Sequence, residues 1–274
     1  MDGVPAHFAS QTDRADFKAL AGVPEVELYQ AHIDRHSFDP HTHQAFGIGL
    51  IDHGAQRFRY RGANHLAGSG ALVLMNPDEL HTGQSASEHG WHYRMIYLPP
   101  ALVENLGGAP DWHFGEVLQS HPGSTRRLSA LLGALWQNSD ALATHSLLLE
   151  LVALCAPFAK SRPAAPEGRH DFSKVTALLH SDYHRPLRLE ELAQQAGLSP
   201  YHFLRQFKRQ YHVTPQQMLM AIRLYRAKCL LAKGQPLALV AAAVGLTDQA
   251  HLTRAFTSRY GTTPGRYRQQ VFGR

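Results

Sequence analysis

From about Glu25 to Leu98 the chain consists of short apolar or alternating runs broken by clusters of Gly, Pro, Asn and Asp. The runs Phe46–Ile51, Arg57–Tyr60, Ala71–Met75 and Trp91–Leu98 are divided by Asp52-His53-Gly54, Arg61-Gly62-Ala63-Asn64, Gly68-Ser69-Gly70 and Asn76-Pro77-Asp78. Alternate side chains of a strand point to opposite faces, and Gly, Asn and Asp tolerate the backbone of tight turns, so this spacing predicts a small antiparallel barrel or sandwich. After Pro99-Pro100 the period lengthens: Ala101–Leu106, Thr125–Trp136 and Ala141–Lys160 carry apolar residues at helical spacing, with Leu147, Leu148, Leu151 and Leu154 on one face of the last. Such a stripe can pack a helix onto the barrel or pair it with a second subunit, and the pattern alone leaves both open. Residues 161–170 hold Pro163, Pro166 and Gly168 without periodicity and read as a linker. Everything after Asp171 reads as helical, with Pro186, Pro200, Pro215, Pro236 and Pro264 at helix starts, where the missing N–H has no partner to lose. The expected fold is α+β in two domains: a β-barrel with C-terminal helices over 1–160, then an all-α domain over 171–274.

The helical block contains a repeat. Leu189-Glu-Glu-Leu-Ala-Gln-Gln-Ala-Gly197-Leu198-Ser199 matches Leu237-Ala-Leu-Val-Ala-Ala-Ala-Val-Gly245-Leu246-Thr247 at a shift of 48 residues, while Arg205, Phe207, Tyr211, Thr214 and Pro215 match Arg254, Phe256, Tyr260, Thr263 and Pro264 at a shift of 49. One residue is therefore inserted early in the second helix of the later copy. Each copy has the parts of a helix-turn-helix. Gly197 and Gly245 permit the positive φ that ends one helix, and Ser199 and Thr247 are expected to cap the next. The second helix has an apolar side, Phe203 and Phe207 in one copy and Leu252 and Phe256 in the other. Its polar side carries Tyr201, His202, Arg205, Lys208 and Arg209, then Gln249, His251, Arg254 and Arg259. A buried seam with polar groups near the N-terminus and cations further along is what a helix lying in the major groove requires. The same residues would also suit a plain helical hairpin with a solvated basic surface. About 17 residues of connecting helix at ~1.5 Å each would hold the two units roughly 25 Å apart, of the order of one groove repeat.

Charge sharpens this picture. The chain has 27 Lys+Arg against 22 Asp+Glu, and of these residues 171–274 hold 15 and 5, a local net charge of +10. That imbalance suits a polyanion, and nucleic acid rather than a membrane, because the block has no polybasic run and no long apolar face. With 44% apolar and 18% charged residues the chain belongs with soluble globular proteins. Cys155 and Cys229, far apart within apolar helical patterns, read as core thiols of a reducing compartment. The first residues lack a signal-peptide pattern, and Leu147–Cys155 is interrupted by Glu150, so no stretch is expected to span a membrane and a cytoplasmic location is expected.

Residues 171–274 resemble the DNA-binding domain of the AraC/XylS family of bacterial regulators. The resemblance is carried by Ala243-Val-Gly-Leu-Thr-Asp-Gln-Ala-His-Leu-Thr-Arg-Ala-Phe-Thr-Ser-Arg-Tyr-Gly-Thr-Thr-Pro-Gly-Arg-Tyr-Arg268 and by Ala193-x3-Gly197-Leu-Ser-Pro-Tyr-His-Phe-Leu-Arg-Gln-Phe-Lys208. It implies base contacts by Tyr201, Leu204 and Arg205 in the first unit and by Gln249, Ala250, His251 and Arg254 in the second. Leu204 and Ala250 depart from the polar residues of some members and could offer only apolar contact, for instance to thymine methyls. The resemblance further implies double-stranded DNA, a small-molecule effector and RNA polymerase as partners, a homodimer, and no enzymatic activity.

In this family the barrel is a cupin-like sensor. Pro40-His41-Thr-His43, Gly54 and Gly70-x6-Pro77-x3-His81 are similar to the two cupin motifs. His41 and His43, two apart in a strand, share a face, and with His81 from a facing strand they would form a three-imidazole site for a divalent metal. Where cupin metalloenzymes place a fourth ligand, a Glu, this chain has Gly47. A metal-dependent enzyme or metal sensor fused to a DNA reader is the alternative function, and ligand contact or a plain structural role the alternative for the histidines. Phe46, Ile48, Trp91, Tyr93 and Arg94 are expected to line the effector pocket, with Arg94 pairing an anionic effector or lying on the outer face. Filling the core is the alternative for Trp91 and Tyr93.

Overall fold

The computed structural model describes residues 12–161 and 170–272; of the expected linker, 162–169 fall outside the described residues. The N-terminal part is built from antiparallel strands β1 (Arg14–Leu20), β2 (Val23–Ile33), β3 (Phe38–His41), β4 (Phe46–Tyr60), β5 (Ala63–Gly68), β6 (Leu72–Met75), β7 (His81–Ser85) and β8 (Trp91–Leu98). β1 and the short strands β9 (Trp112–Phe114), β10 (Leu118–Gln119) and β11 (Ala159–Ser161) add elements that the hydrophobic pattern did not announce. The ladder runs β1-β2-β8-β4-β6-β10, and the far half of β4 pairs instead with β5 and β7, the latter carrying β3. β4 thus bends from one sheet into the other. It does so after a register shift between Ile51 and His53, at Gly54, whose φ of +75° a side chain would strain. Among the described residues no ladder joins the outer strands, so the barrel is an open cupin-like sandwich.

Strand parity decides what each face holds. On β8, Trp91, Tyr93 and Met95 point inward, while Ile96 and Leu98 point outward to the helices. On the first half of β4 the outward residues are Phe46, Ile48 and Leu50, and the inward positions are Gly47 and Gly49. A Cβ on Gly49 would collide with Met95 Sδ and the Arg94 carbonyl, so this glycine is what lets Met95 lie across the strand.

Helices α1 (Pro100–Asn105), α2 (Pro122–Gln137) and α3 (Ala141–Cys155) cover the outer face. Lys18 closes the carboxyl end of α2 by donating to the carbonyls of Trp136 and Asn138, both at 2.6 Å. α3 is shorter than the expected 141–160 helix. Pro157 has no N–H for a fourth-residue bond, so the chain passes through a 3-10 turn at Ala156–Phe158 into β11. Leu148, Leu151, Val152 and Cys155 form the buried stripe of α3. By length and composition alone Ala141–Phe158 would cross a bilayer, contrary to the expectation that nothing approaches that length. Only 28% of that window is buried: one stripe packs against α2, and the opposite side is exposed. Neither cysteine is disulfide-bonded; Cys155 is buried, which pushes its thiol up to about 12, and Cys229 is half-buried.

The C-terminal part comprises α4 (Ser173–Ser181), α5 (Leu189–Gln195), α6 (Pro200–Tyr211), α7 (Pro215–Ala232), α8 (Leu237–Ala243), α9 (Gln249–Tyr260) and α10 (Pro264–Phe272). Its two units do not share one core. α4–α6 close around Phe172, Phe203 and Phe207, with Leu219 and Ile222 of α7. The seam of α8–α10, including Val240, Leu252, Phe256 and Tyr267, is continuous through the other side of α7 with the inward face of the barrel.

Candidate DNA interface and barrel cavity

Each unit turns in the same way. Gly197 (φ +65°) and Gly245 (φ +72°) end α5 and α8, and the next N–H groups, of Leu198 and Leu246, reach back to the Ala193 and Ala241 carbonyls, both at 3.0 Å. The caps of α6 and α9 differ from expectation in one place. Ser199 caps α6 as foreseen, but α9 is capped by Asp248, whose Oδ1 accepts from His251 N–H at 2.7 Å, and Thr247 lies one residue before it. The inserted residue therefore sits in the turn and not in the helix. A carboxylate at this position also meets the positive end of the helix dipole.

The apolar seam of each second helix is fully buried at Phe203, Phe207, Leu252 and Phe256. On the opposite side Tyr201 is 70% exposed, and His202, Arg205, Lys208 and Arg209 are exposed with it. Leu204 is half-buried beside α5 and α7. In the second unit Gln249 and Arg254 are exposed and Ala250 and His251 half-exposed. Arg259 does not belong to this face. Five residues beyond Arg254 at ~100° each leave it about 140° around the helix, where it is buried and its Nη2 donates to the Thr42 carbonyl of the barrel.

The inward face of the barrel holds a partly open cavity of about 50 Å³, bounded on one side by Lys228 of α7 and by Arg259 and Tyr260 of α9. Of the residues expected there, His41, His43, His81 and Tyr93 line it. Phe46 and Ile48 point the other way, Phe46 against Trp112 and Phe114. Trp91 is wholly buried, stacked on Tyr93 at 5.6 Å behind the cavity wall. Arg94 lies on the outer face, where Nη2 and Nε hold the Asp52 carboxylate at 2.6 and 2.9 Å and two further bonds reach Ser129. Its donors are engaged, so it is no anchor for an anionic effector in this cavity. Sequence reading missed Met95 and Tyr97, which alternation from Tyr93 along β8 would have supplied. It also missed Lys228, more than a hundred residues away, for which no local signal exists.

The three imidazoles gather closely, with ring centroids 4.2 Å apart for His41–His81 and 5.2 Å for His43 to each of the others. Burial holds His41 well below the ordinary histidine range, reinforced by His81 and Arg259; burial does the same to His43, with His41 adding to it. His81 is lowered to about 4, again chiefly by burial. All three are neutral at pH 7 and keep a nitrogen lone pair.

Contacts between cavity rim and reader are polar and specific. Lys228 Nζ pairs with Glu27, whose other oxygen accepts from Tyr267 Oη at 2.8 Å. Ser258 Oγ donates to the Asp39 carboxylate, and Gln270 Nε2 to Asp16 at 2.9 Å. These partners belong to α7, α9 and α10; from α4, His180 meets Gln44 at 3.2 Å.

Comparison with known proteins matches this division. The family model described as AraC-like ligand binding domain matches residues 23–152, and a helix-turn-helix domain model matches 192–270. The chain is similar to the uncharacterised HTH-type transcriptional regulator YbfI of Bacillus subtilis, at 26% identity over 83% of this chain and 86% of that protein. It is also similar to the HTH-type transcriptional activator RhaS of Klebsiella pneumoniae, at 22% identity over 91% of this chain and 94% of RhaS. Among solved structures, Vibrio cholerae ToxT bound to an unsaturated fatty acid superposes with a TM-score of 0.58 over 100% of this chain and 99% of that one, at 13% identity. That last likeness concerns the fold.

Proposed function

We infer that this chain, which belongs to the AraC family of transcription regulators, binds double-stranded DNA sequence-specifically through α6 and α9 and is controlled by a small molecule held in its barrel. The observation that carries this reading is the pair of matched units, each exposing the amino-terminal half of its second helix while burying the seam behind it. Tyr201, His202, Arg205, Gln249, His251 and Arg254 are the base readers; Leu204 and Ala250 offer apolar contact; Lys208 and Arg209 hold phosphate. The connecting α7, at 18 residues, is about 27 Å long, which suits successive major grooves on one side of the duplex. The relatives are regulators of transcription, and we assign no catalytic step.

The shared core of barrel and second unit gives the control its route. An effector of ordinary size needs a pocket of roughly 300 Å³ or more, and the cavity of about 50 Å³ is bounded on the reader side by Lys228, Arg259 and Tyr260. A larger effector must therefore displace α7 and α9, which changes how the second unit sits relative to the first; it shifts the population able to engage both grooves. The exposed side of α3, with Leu142 78% and Leu149 45% exposed, is the homodimer face. We assign the protein to the cytoplasm, with RNA polymerase as its further partner at the promoter.

The test is affinity for a duplex selected from a random pool against an unselected duplex, measured across salt with and without candidate metabolites. A preference of about 10³-fold or more and a salt slope steeper for the unselected duplex's share of binding are expected of a specific regulator. Equal affinity for both duplexes would overturn the assignment.

A further inference from the structure

Three observations at one place in the cavity go beyond effector binding. First, His41, His43 and His81 each offer one ring nitrogen, and these lie within 4.8 Å of one another. Bonds of about 2.0–2.1 Å to a tetrahedral ion set ligand nitrogens roughly 3.3 Å apart, so ring rotations of the order of 1 Å close the site. Second, the tautomers suit ligation. His41 Nδ1 stands 2.6 Å from the Asp39 carbonyl and His81 Nδ1 stands 3.1 Å from the Glu79 carbonyl. A carbonyl only accepts, so both rings carry their proton on Nδ1 and leave the Nε2 lone pair free, the arrangement that orients metal-bound imidazoles. Third, among the described residues four buried polar atoms on residues lining the same cavity have no partner: Tyr29 Oη, His43 Nε2, Arg259 Nε and Tyr260 Oη. Buried polar atoms are nearly always paired, so the group marks a missing occupant, and the His43 and Arg259 nitrogens are the two that a metal ion and its anion would satisfy. The cavity of about 50 Å³ has room for an ion with a small ligand.

We propose that His41, His43 and His81 bind one divalent transition-metal ion through imidazole nitrogen, and that the ion's open position takes an anionic oxygen held also by Arg259. Three nitrogen donors without a carboxylate select borderline ions such as Zn²⁺ over Mg²⁺ or Ca²⁺. Gly47 faces this side, and a Cβ there would meet Met95, Met75 and Tyr97, so side chains fill the place where a fourth protein ligand would stand. The fourth position is thus left to a ligand. Arg259 is 4% exposed and belongs to α9, so the ion and its anion bridge the strands to the second DNA-reading unit. This deepens the reading of the barrel as the sensor: it names a metal with a carboxylate-type anion as the occupant of the closed form.

The test is equilibrium dialysis of the full chain against buffered Zn²⁺, then replacement by Co²⁺ and titration with acetate. About one ion per chain is expected, with a Co²⁺ spectrum of tetrahedral intensity that changes on adding acetate. His43→Ala, and separately the pair His41→Ala with His81→Ala, should lower retention at least tenfold, while His89→Ala in an exposed loop leaves it unchanged. Circular dichroism establishes that each variant is folded. A wild-type chain that binds no stoichiometric Zn²⁺, or a folded His43→Ala that retains it fully, overturns the site. A Co²⁺ spectrum indifferent to acetate overturns the open position, and needs no change at Arg259. Dialysis uses no DNA, so failure here leaves the DNA-binding reading standing, and failure of selective DNA binding leaves the metal result intact.

Discussion

Replacing Glu27 by Gln should loosen the barrel from the DNA reader. The side chains of Lys228 and Glu27 are only 10% and 12% exposed, so the pair is screened little by salt. Gln keeps the volume and can still accept from Tyr267, but it leaves the Lys228 ammonium without a counter-charge. Removing one partner of a buried pair costs about 3–5 kcal/mol. Four aromatic rings, of Phe17, Tyr97, Tyr260 and Tyr267, stand 4.9–5.7 Å from Nζ and soften the loss. Cation–π attraction of roughly 0.5–2 kcal/mol brings the expected cost to about 1–4.5 kcal/mol. At 1.4 kcal/mol per factor of ten, the closed arrangement should weaken by roughly 5- to 1,600-fold. The double variant Glu27→Gln with Lys228→Met removes both charges and should recover to within about 1 kcal/mol of the wild type. Denaturant titration gives the stabilities, and hydrogen exchange at the amides of α9 and α10 locates the loosening. A Glu27→Gln variant within 0.5 kcal/mol of wild type, or a double variant as unstable as the single losses summed, would refute the view of this pair as the clasp between the domains (the 0.5 kcal/mol threshold being about that of an ordinary surface change).

Burial raises the Asp52 carboxyl, but hydrogen bonds from His92 and Arg94 outweigh it and hold the group at about 2. A carboxyl held below its unfolded value stabilises above that value and loses the contribution as pH falls, so the ion pair should be lost between about pH 4 and pH 2; acid titrations of Asp52→Asn should lack that phase, and an unchanged acid profile would contradict the assignment. Gly49→Ala places a Cβ against Met95 Sδ and the Arg94 carbonyl, and should destabilise by about 1–3 kcal/mol in a denaturant melt; a neutral substitution would mean the strand yields freely. Leu149→Glu on the exposed side of α3 should leave the fold intact and convert a dimer to a monomer in sedimentation; retention of the dimer would move the interface elsewhere.

The reader was legible because its determinants are local. The positive φ at Gly197 and Gly245, the cap at Ser199 and the Phe203/Phe207 seam are set by residues within one or two turns of each other. The cavity was less so, for two reasons. Phe46 and Ile48 were grouped with Tyr93, although the rule that alternate residues share a strand face, carried across the β4–β8 pairing, puts Gly47 and Gly49 inside. Arg94 takes the outer-face alternative that the sequence leaves open, and Arg259 leaves the reading face; partners distant in sequence decide both, Asp52 and Ser129 for one and the Thr42 carbonyl for the other. The β1 strand, with Ala15, Phe17 and Leu20 buried, lies ahead of the first strong turn signal and so has no sequence mark to bound it. Asp248 displaced Thr247 as cap because the inserted residue lengthens the turn and brings the stronger acceptor to the helix start.

The most direct test is selection of bound sites from a random duplex pool by the wild type, Arg205→Ala, Arg254→Ala and Lys208→Ala. Two clusters of preferred bases about 10 base pairs apart are expected; each arginine variant should relax only its own cluster at a cost of about 1–3 kcal/mol, and Lys208→Ala should weaken all sequences alike. A single undivided cluster, or the same uniform loss in all three variants, would contradict two helices reading adjacent grooves.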